Sequence, residues 1–307
     1  MPHKNLLHPA SVLLMLLSCT LFLTGGTCIS HTKPASLGRQ APVIREPSAD
    51  GIAVYGSETV SVDASHIDEG YVMVRYGGDN AKVKLQLEAF GGQAYTYLLS
   101  RGGKYEVFPL SSGGGVYSLR VYENVKNDTY ALVFEQELDV KLKNEFLPFL
   151  YPNQYVSFTP NSLAAAVGRQ VCTGCAGTGS EADIVRSLYH YVTENISYDE
   201  EKAAQVAYGY LPDVDEVLAS GKGICFDYAA LLAALLRLQG IPAKLEVGYA
   251  GDVLHAWVSV YPEDDGWLDG VRLYGNSWNL LDPTLAACGG GSPLIGGGNE
   301  YKVKYSY

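Results

Sequence analysis

Three side chains along this sequence have the types and the settings for nucleophilic chemistry. Cys225 stands between a glycine-containing turn and a long apolar run in "ASGKGICFDYAALLAALLRLQGIPAKLEVGY", residues 219 to 249. A cysteine in apolar surroundings is ordinarily a small core hydrophobe. At a helix start, however, unpaired backbone N–H groups and the helix dipole favour its thiolate. His255 opens "HAWVSVY"; strand alternation puts His255, Trp257 and Ser259 on one face and Ala256, Val258 and Val260 on the other. Asp282 follows "WNLL" and is fixed by Pro283. The imidazole can take the thiol proton, and the carboxylate can hold the ring in one tautomer and steady its positive charge. Asp252 and Asp269 are nearer His255 in sequence but sit in turns. Asp227, in the first turn after Cys225, reads as a stabiliser of the helix start.

These residues need elements to hold them. "SEADIVRSLYHYVTENISYD" carries Ile184, Leu188, Tyr191 and Val192 at helical spacing, with Ser180 as cap and Asp183 three residues later. "PDVDEVLAS" is a second, shorter helix, and the Cys225 stretch is the third. "AKLEVGYAGDVLHAWVSVYPEDDGWL" reads as two strands joined at "GDV", "RLYGNSWNLLDPT" as a further strand ending at an Asp-Pro turn, and "YKVKYSY" as a closing strand. Helices followed by an antiparallel sheet make residues 148–307 an α+β unit. Upstream, residues 51–147 show short alternating runs separated by Gly or Asn-Asp turns. In "KVKLQLEAF", Val83, Leu85 and Leu87 face one way and Lys84, Gln86 and Glu88 the other. Several such strands at this spacing predict a β-sandwich-like accessory domain.

"GKGICFDYAALLAALLRLQGIPAKLEVGY", then "HAWVSVY", then "WNLLDPT" resembles the transglutaminase-like superfamily, papain-related Cys-His-Asp enzymes, in its bacterial exported branch. The resemblance runs over residues 180–285. It implies Cys225 as nucleophile, His255 as general base and then acid, and Asp282 as orienter. The implied reaction is acyl transfer at an amide bond of a peptide or protein, through a thioester. Hydrolysis of a peptidase or amidase type is the first expectation. A protein-glutamine transglutaminase and a non-catalytic cell-surface binding protein on the same scaffold are the alternatives. The resemblance also implies a side chain assisting the oxyanion: Tyr198 leads here, with Tyr208 and Tyr210 behind it. Trp257 is expected beside the site, as a cleft wall or packed beneath it. No cofactor or metal is expected, because the acidic stretch "YPEDDGWLDG" lacks the ligand spacing of a calcium loop.

A formal net charge of -11, with no basic patch visible in the sequence, argues against nucleic acid as partner. Tyr is frequent, 23 against 8 Phe, which suits half-buried sheets and peptide- or carbohydrate-facing surfaces. Residues 1–28 read as an export signal, with Lys4 ahead of an apolar run from Ala10 to Leu23, too short for the ~20 residues of a membrane span. "LLSC" makes Cys19 a candidate for lipidation and membrane attachment; "GGTC" at Cys28 is a poorer match, and cleavage near Gly26 also fits. Residues 29–50 are a Pro- and Ser-containing linker. The chain is thus expected outside the cytoplasm, where Cys172 and Cys175 of "VCTGC" could form a local disulfide. Zinc at that pair would need more ligands than His190 supplies.

Overall fold

The computed structural model describes residues 43–173, 179–289 and 301–307. The signal and most of the linker, with Cys19 and Cys28, lie outside the described residues, as does Cys175. Eight strands come first: β1 (Val54–Gly56), β2 (Val60–Asp63), β3 (Tyr71–Tyr76), β4 (Val83–Ala89), β5 (Ala94–Leu99), β6 (Glu106–Pro109), β7 (Gly115–Lys126) and β8 (Thr129–Val140). They form two four-stranded antiparallel sheets, ordered β1-β2-β3-β6 and β5-β4-β7-β8. Val83, Leu85 and Leu87 point inward as the alternation requires, and join Val62, Val74, Leu119 and Val121 in a common core. β1 and β2 are too short for an alternation to register in the sequence.

The second half holds α1 (Leu163–Thr173), α2 (Glu181–Asn195), β9 (Ser197–Tyr198), α3 (Glu200–Gln205), α4 (Val214–Ser220), β10 (Lys222–Gly223) and α5 (Cys225–Leu238). Then come β11 (Ala243–Ala250), β12 (Val253–Val260), β13 (Gly266–Leu268), β14 (Val271–Leu273), β15 (Asn279–Leu281), α6 (Pro283–Ala287) and β16 (Tyr301–Ser306). The antiparallel sheet runs β15-β12-β11-β16. Three details differ from the sequence reading. Cys172 lies in the last turn of a helix, α1, whose Ala-rich "LAAAVGR" carries no strong periodic signal. Ser180 holds the N-cap position of α2 but makes no capping bond; Asp264 accepts from the Glu181 amide instead, at 3.0 Å. The stretch "GWLDGVRL" forms its own hairpin, β13–β14.

α5 is apolar on all sides because it is enclosed on all sides: from Asp227 to Leu238 every residue is buried. Its core is continuous with that of the sandwich, and the described residues belong to one compact unit. Near the end of α5, Arg237 is 1% exposed. Its guanidinium donates to the main-chain oxygens of Ala243 (2.9 Å), Tyr151 (2.7 Å) and Tyr307 (2.6 Å). Burial pulls its pKa down to about 9. One side chain thus ties the helix to the segment after the sandwich and to the end of the last strand. Arg237→Ala should lower the unfolding free energy by about 3–5 kcal/mol, as expected when a buried charged donor is removed and its acceptors are left bare. Urea denaturation with an unchanged slope would show it; a loss under 1 kcal/mol would refute it.

Candidate active site

Cys225 is the first residue of α5, so its amide has no acceptor within the helix. The turn before it is held by Asp227, a carboxylate with 0% exposure. Asp227 accepts from the Ile224 amide (2.9 Å), the Tyr210 hydroxyl (2.5 Å) and the Lys202 ammonium (2.8 Å). A side chain at Gly223 would bring its Cβ within 2.7 Å of the Asp227 Cβ, which is why the turn reads Gly-Ile-Cys. Asp227 therefore faces away into its own network and stabilises the helix start.

The structure brings His255 and Asp282 to the same place. β12 and β15 are antiparallel neighbours, Val258 opposite Leu281, so the residue after Leu281 falls level with Trp257, two residues from His255. His255 Nε2 lies 2.6 Å from Asp282 Oδ2, and Cys225 is close enough to the ring to raise its pKa. Nε2 is thus committed to the carboxylate, and Nδ1 is the nitrogen left for the thiol. Burial pulls the His255 pKa down, but the hydrogen bonds and negative charge of Asp282 and Cys225 outweigh it and push it up to about 9. Burial works against ionised Asp282 too, which is 1% exposed. The His255 hydrogen bond and charge, the Leu285 amide (3.0 Å) and the Tyr301 hydroxyl (2.9 Å) together hold its pKa below the usual carboxylate value.

Of the near-site candidates, Tyr198 is the one placed beside the thiol. β9 pairs in parallel with β10, Tyr198 opposite Gly223, and this sets the phenol next to the α5 start. Its pKa is raised, by burial first and then by charge at Cys225. Tyr210 is not available to an oxyanion, since its only O–H is given to Asp227. Tyr208 is 84% exposed at the mouth of the cleft. Trp257 is fully buried, with its ring centroid 6.3 Å from that of His255 at 24°, and it donates to Glu246 (2.8 Å). It packs beneath the histidine rather than forming a wall.

Several supporting residues escaped the sequence reading. Glu246 sits between apolar neighbours on β11 and would be read as facing solvent; burial raises its pKa, and the Ser259 hydroxyl and Trp257 hold it. Tyr301 reaches Asp282 only because β16 pairs with β11. Lys202 had no visible partner in the sequence. Three of the four acids of "YPEDDGWLDG" have partners: Asp264 the Glu181 amide, Asp265 the Arg272 guanidinium (2.8 Å) and the Gly275 amide, Asp269 the His190 ring (2.9 Å). His190 therefore faces Asp269. Cys288 lies exposed just past α6.

Residues 169–269 match the Transglutaminase-like superfamily, so the chain carries a transglutaminase-like domain. The match stops before Asp282, whose place in the site rests on the geometry above. A stretch is 36% identical over 70 residues to a protein-glutamine gamma-glutamyltransferase of Pseudomonas aeruginosa, covering 18% of this chain and 10% of that protein. This chain thus spans a tenth of that relative's length. Among solved structures, a candidate cysteine protease from Cytophaga hutchinsonii is similar at 14% identity and TM-score 0.33, covering 76% of this chain and 69% of that one. Red sea bream transglutaminase is similar at 14% identity and TM-score 0.28, covering 70% and 48%. Scores this low carry no functional conclusion.

Asp282→Asn should drop the His255 pKa from about 9 toward or below the ordinary ~6.5, read by NMR of the imidazole carbons. In the unaltered protein the raised His255 contributes stability below pH ~6.5 that is lost as pH rises through about 9. The depressed Asp282 contributes stability present above its unfolded value and lost as pH falls through its folded one. Both limbs should flatten in the variant. An unaltered His255 titrating near 6.5 would contradict the pairing.

Proposed function

We propose that this protein is a thiol hydrolase of amide bonds in peptides or proteins, with Cys225 as nucleophile, His255 as acid and base, and Asp282 as the group that orients His255. The observation that carries this reading is one imidazole held at 2.6 Å by a buried carboxylate and set beside Cys225 at the start of α5. The protonated imidazole of His255 and the start of α5 set positive charge beside the Cys225 sulfur, the setting in which a thiol serves as nucleophile. The thiolate adds to the carbonyl carbon, and the electron pair moved to oxygen is met by the Cys225 amide N–H, with the Tyr198 hydroxyl as candidate second donor. The Nδ1 proton of His255 passes to the amide nitrogen, the C–N bond breaks, and the amine leaves a thioester. Water then gives a proton to His255 and adds to the thioester; the carboxylic product departs and the thiolate returns.

The same thioester could be taken by a primary amine, the reaction named for the Pseudomonas relative. Among the described residues the cavity beside the thiol has no Asp or Glu in its lining to hold a protonated amine, and this favours water as the acceptor.

The test is hydrolysis of a peptide-amide library, with and without added methylamine, alongside alkylation of Cys225 by iodoacetamide against pH. Cys225→Ala should abolish turnover and His255→Ala lower it by about 10²–10⁴-fold, the usual share of general acid–base catalysis. Alkylation below pH 7 should be lost in His255→Ala. Turnover surviving in Cys225→Ala would sink the reading, and methylamide products in place of acids would replace hydrolysis by transfer.

A further inference from the structure

Beside Cys225 and His255 the structure holds a cavity of about 550 Å³, within the ~300–1,000 Å³ range of small-ligand sites. Two of its lining residues, Thr96 and Leu98, come from β5, the edge strand of the second sandwich sheet. Residues 206–210 provide another side, and Tyr155, Tyr198, Phe226, Tyr305 and Tyr307 add aromatic rings. Among the described residues, none of the lining side chains is Asp, Glu, Lys or Arg. Burial pushes Tyr155 and Tyr210 up to about 12, so both phenols keep their protons across the physiological range. Away from the Cys225–His255 pair, such a pocket offers apolar contact and a few hydroxyls, and no ionised partner to offset the desolvation of a charge.

The sandwich wall is built in. Gly209 has φ +84, and a Cβ there would meet Leu98 Cδ1 at 2.4 Å, so the 206–210 backbone is seated directly on Leu98. The inner end of that loop is tied to the helix start through Tyr210 and Asp227. β5 is tied by Gln154, which donates to Leu98 O at 2.7 Å. The loop thus bridges the sandwich edge and the start of α5, a few residues from the thiol.

Building on the thiol-hydrolase reading, we infer that the sandwich is part of the substrate site: Leu98, with the 206–210 loop, walls a subsite beside Cys225 that takes a bulky uncharged side chain of a peptide substrate, apolar or aromatic, and rejects charged ones.

The test uses the full chain with Cys225→Ala, so that binding is read without chemistry. N-acetylated, C-amidated peptides Gly-X-Gly, with X as Phe, Leu, Trp, Asp or Lys, are titrated by calorimetry. The Phe and Leu peptides should bind at least about tenfold tighter than the Asp and Lys peptides, the scale at which a hydrophobic pocket discriminates. Adding Leu98→Asp should abolish that selectivity. Leu98→Ala, which keeps the wall uncharged and enlarges the space, should move preference toward Trp. Val125→Asp, on the exposed tip of the β7–β8 hairpin, should change nothing. Equal binding of all five peptides, binding of none, or selectivity that survives both Leu98 changes would overturn the inference. Alkylation of Cys225 in the unaltered protein is scored separately. An inert thiol with selective binding would sink the hydrolase reading and leave the subsite standing, and a reactive thiol with flat binding would do the reverse.

Discussion

A carboxylate sealed from water must be surrounded by donors or lose its charge, and Asp282 is such a group. Its donors come from three places. His255 stands on β12, the Leu285 amide in α6, and the Tyr301 hydroxyl on β16. A fourth element, α2, fixes its main chain through the Tyr189 hydroxyl at 3.1 Å. Satisfying one buried charge therefore sets where two strands and α6 meet, α2 holds the same residue by its main chain, and the orientation of His255 follows. Trp257 and Glu246 complete the arrangement from below, the acid holding the indole that supports the imidazole.

The helix that carries the thiol is held by the same kind of interaction at both ends. Asp227 binds its first turn to Lys202 and Tyr210, and Arg237 binds its last turn to three main-chain oxygens. Buried charges are a poor source of net stability, because desolvation offsets much of what pairing returns. Their value here is positional. An apolar helix packed on all sides has little to stop it sliding or turning by one residue, and a charge that must meet named partners at each end removes that freedom.

The sandwich and the α+β half share one core, and the cleft lies where they meet. A surface between two packed units is a common place for a binding site. In this chain the edge strand β5 enters the cleft with its side chains, while its alternation keeps Tyr97 and Leu99 in the core. The period that folds the sandwich thereby also selects which residues, Thr96 and Leu98, face the cleft. The tyrosine abundance finds its place in the same region, where Tyr95, Tyr97, Tyr155, Tyr305 and Tyr307 pack ring against ring.

The sequence by itself determined the local elements and the members of the site. Alternation marked six of the eight sandwich strands, helical spacing marked α2 and α5, and the contexts of Cys225, His255 and Asp282 were each distinctive, because local propensity and side-chain period act over a few residues. Elements too short to show a period, such as β1 and β2, and a helix rich in small residues, α1, left no such mark. Only the tertiary structure decided what depends on pairing between distant segments. It assigned Tyr210 to Asp227 instead of the oxyanion, buried Glu246 to hold Trp257, brought Tyr301 to Asp282 and set Leu98 against Gly209. Each of these joins residues whose own neighbours in the chain give no sign of the partner. A buried polar group is matched by whatever donor the packed fold delivers to it, and that delivery is a property of the whole chain.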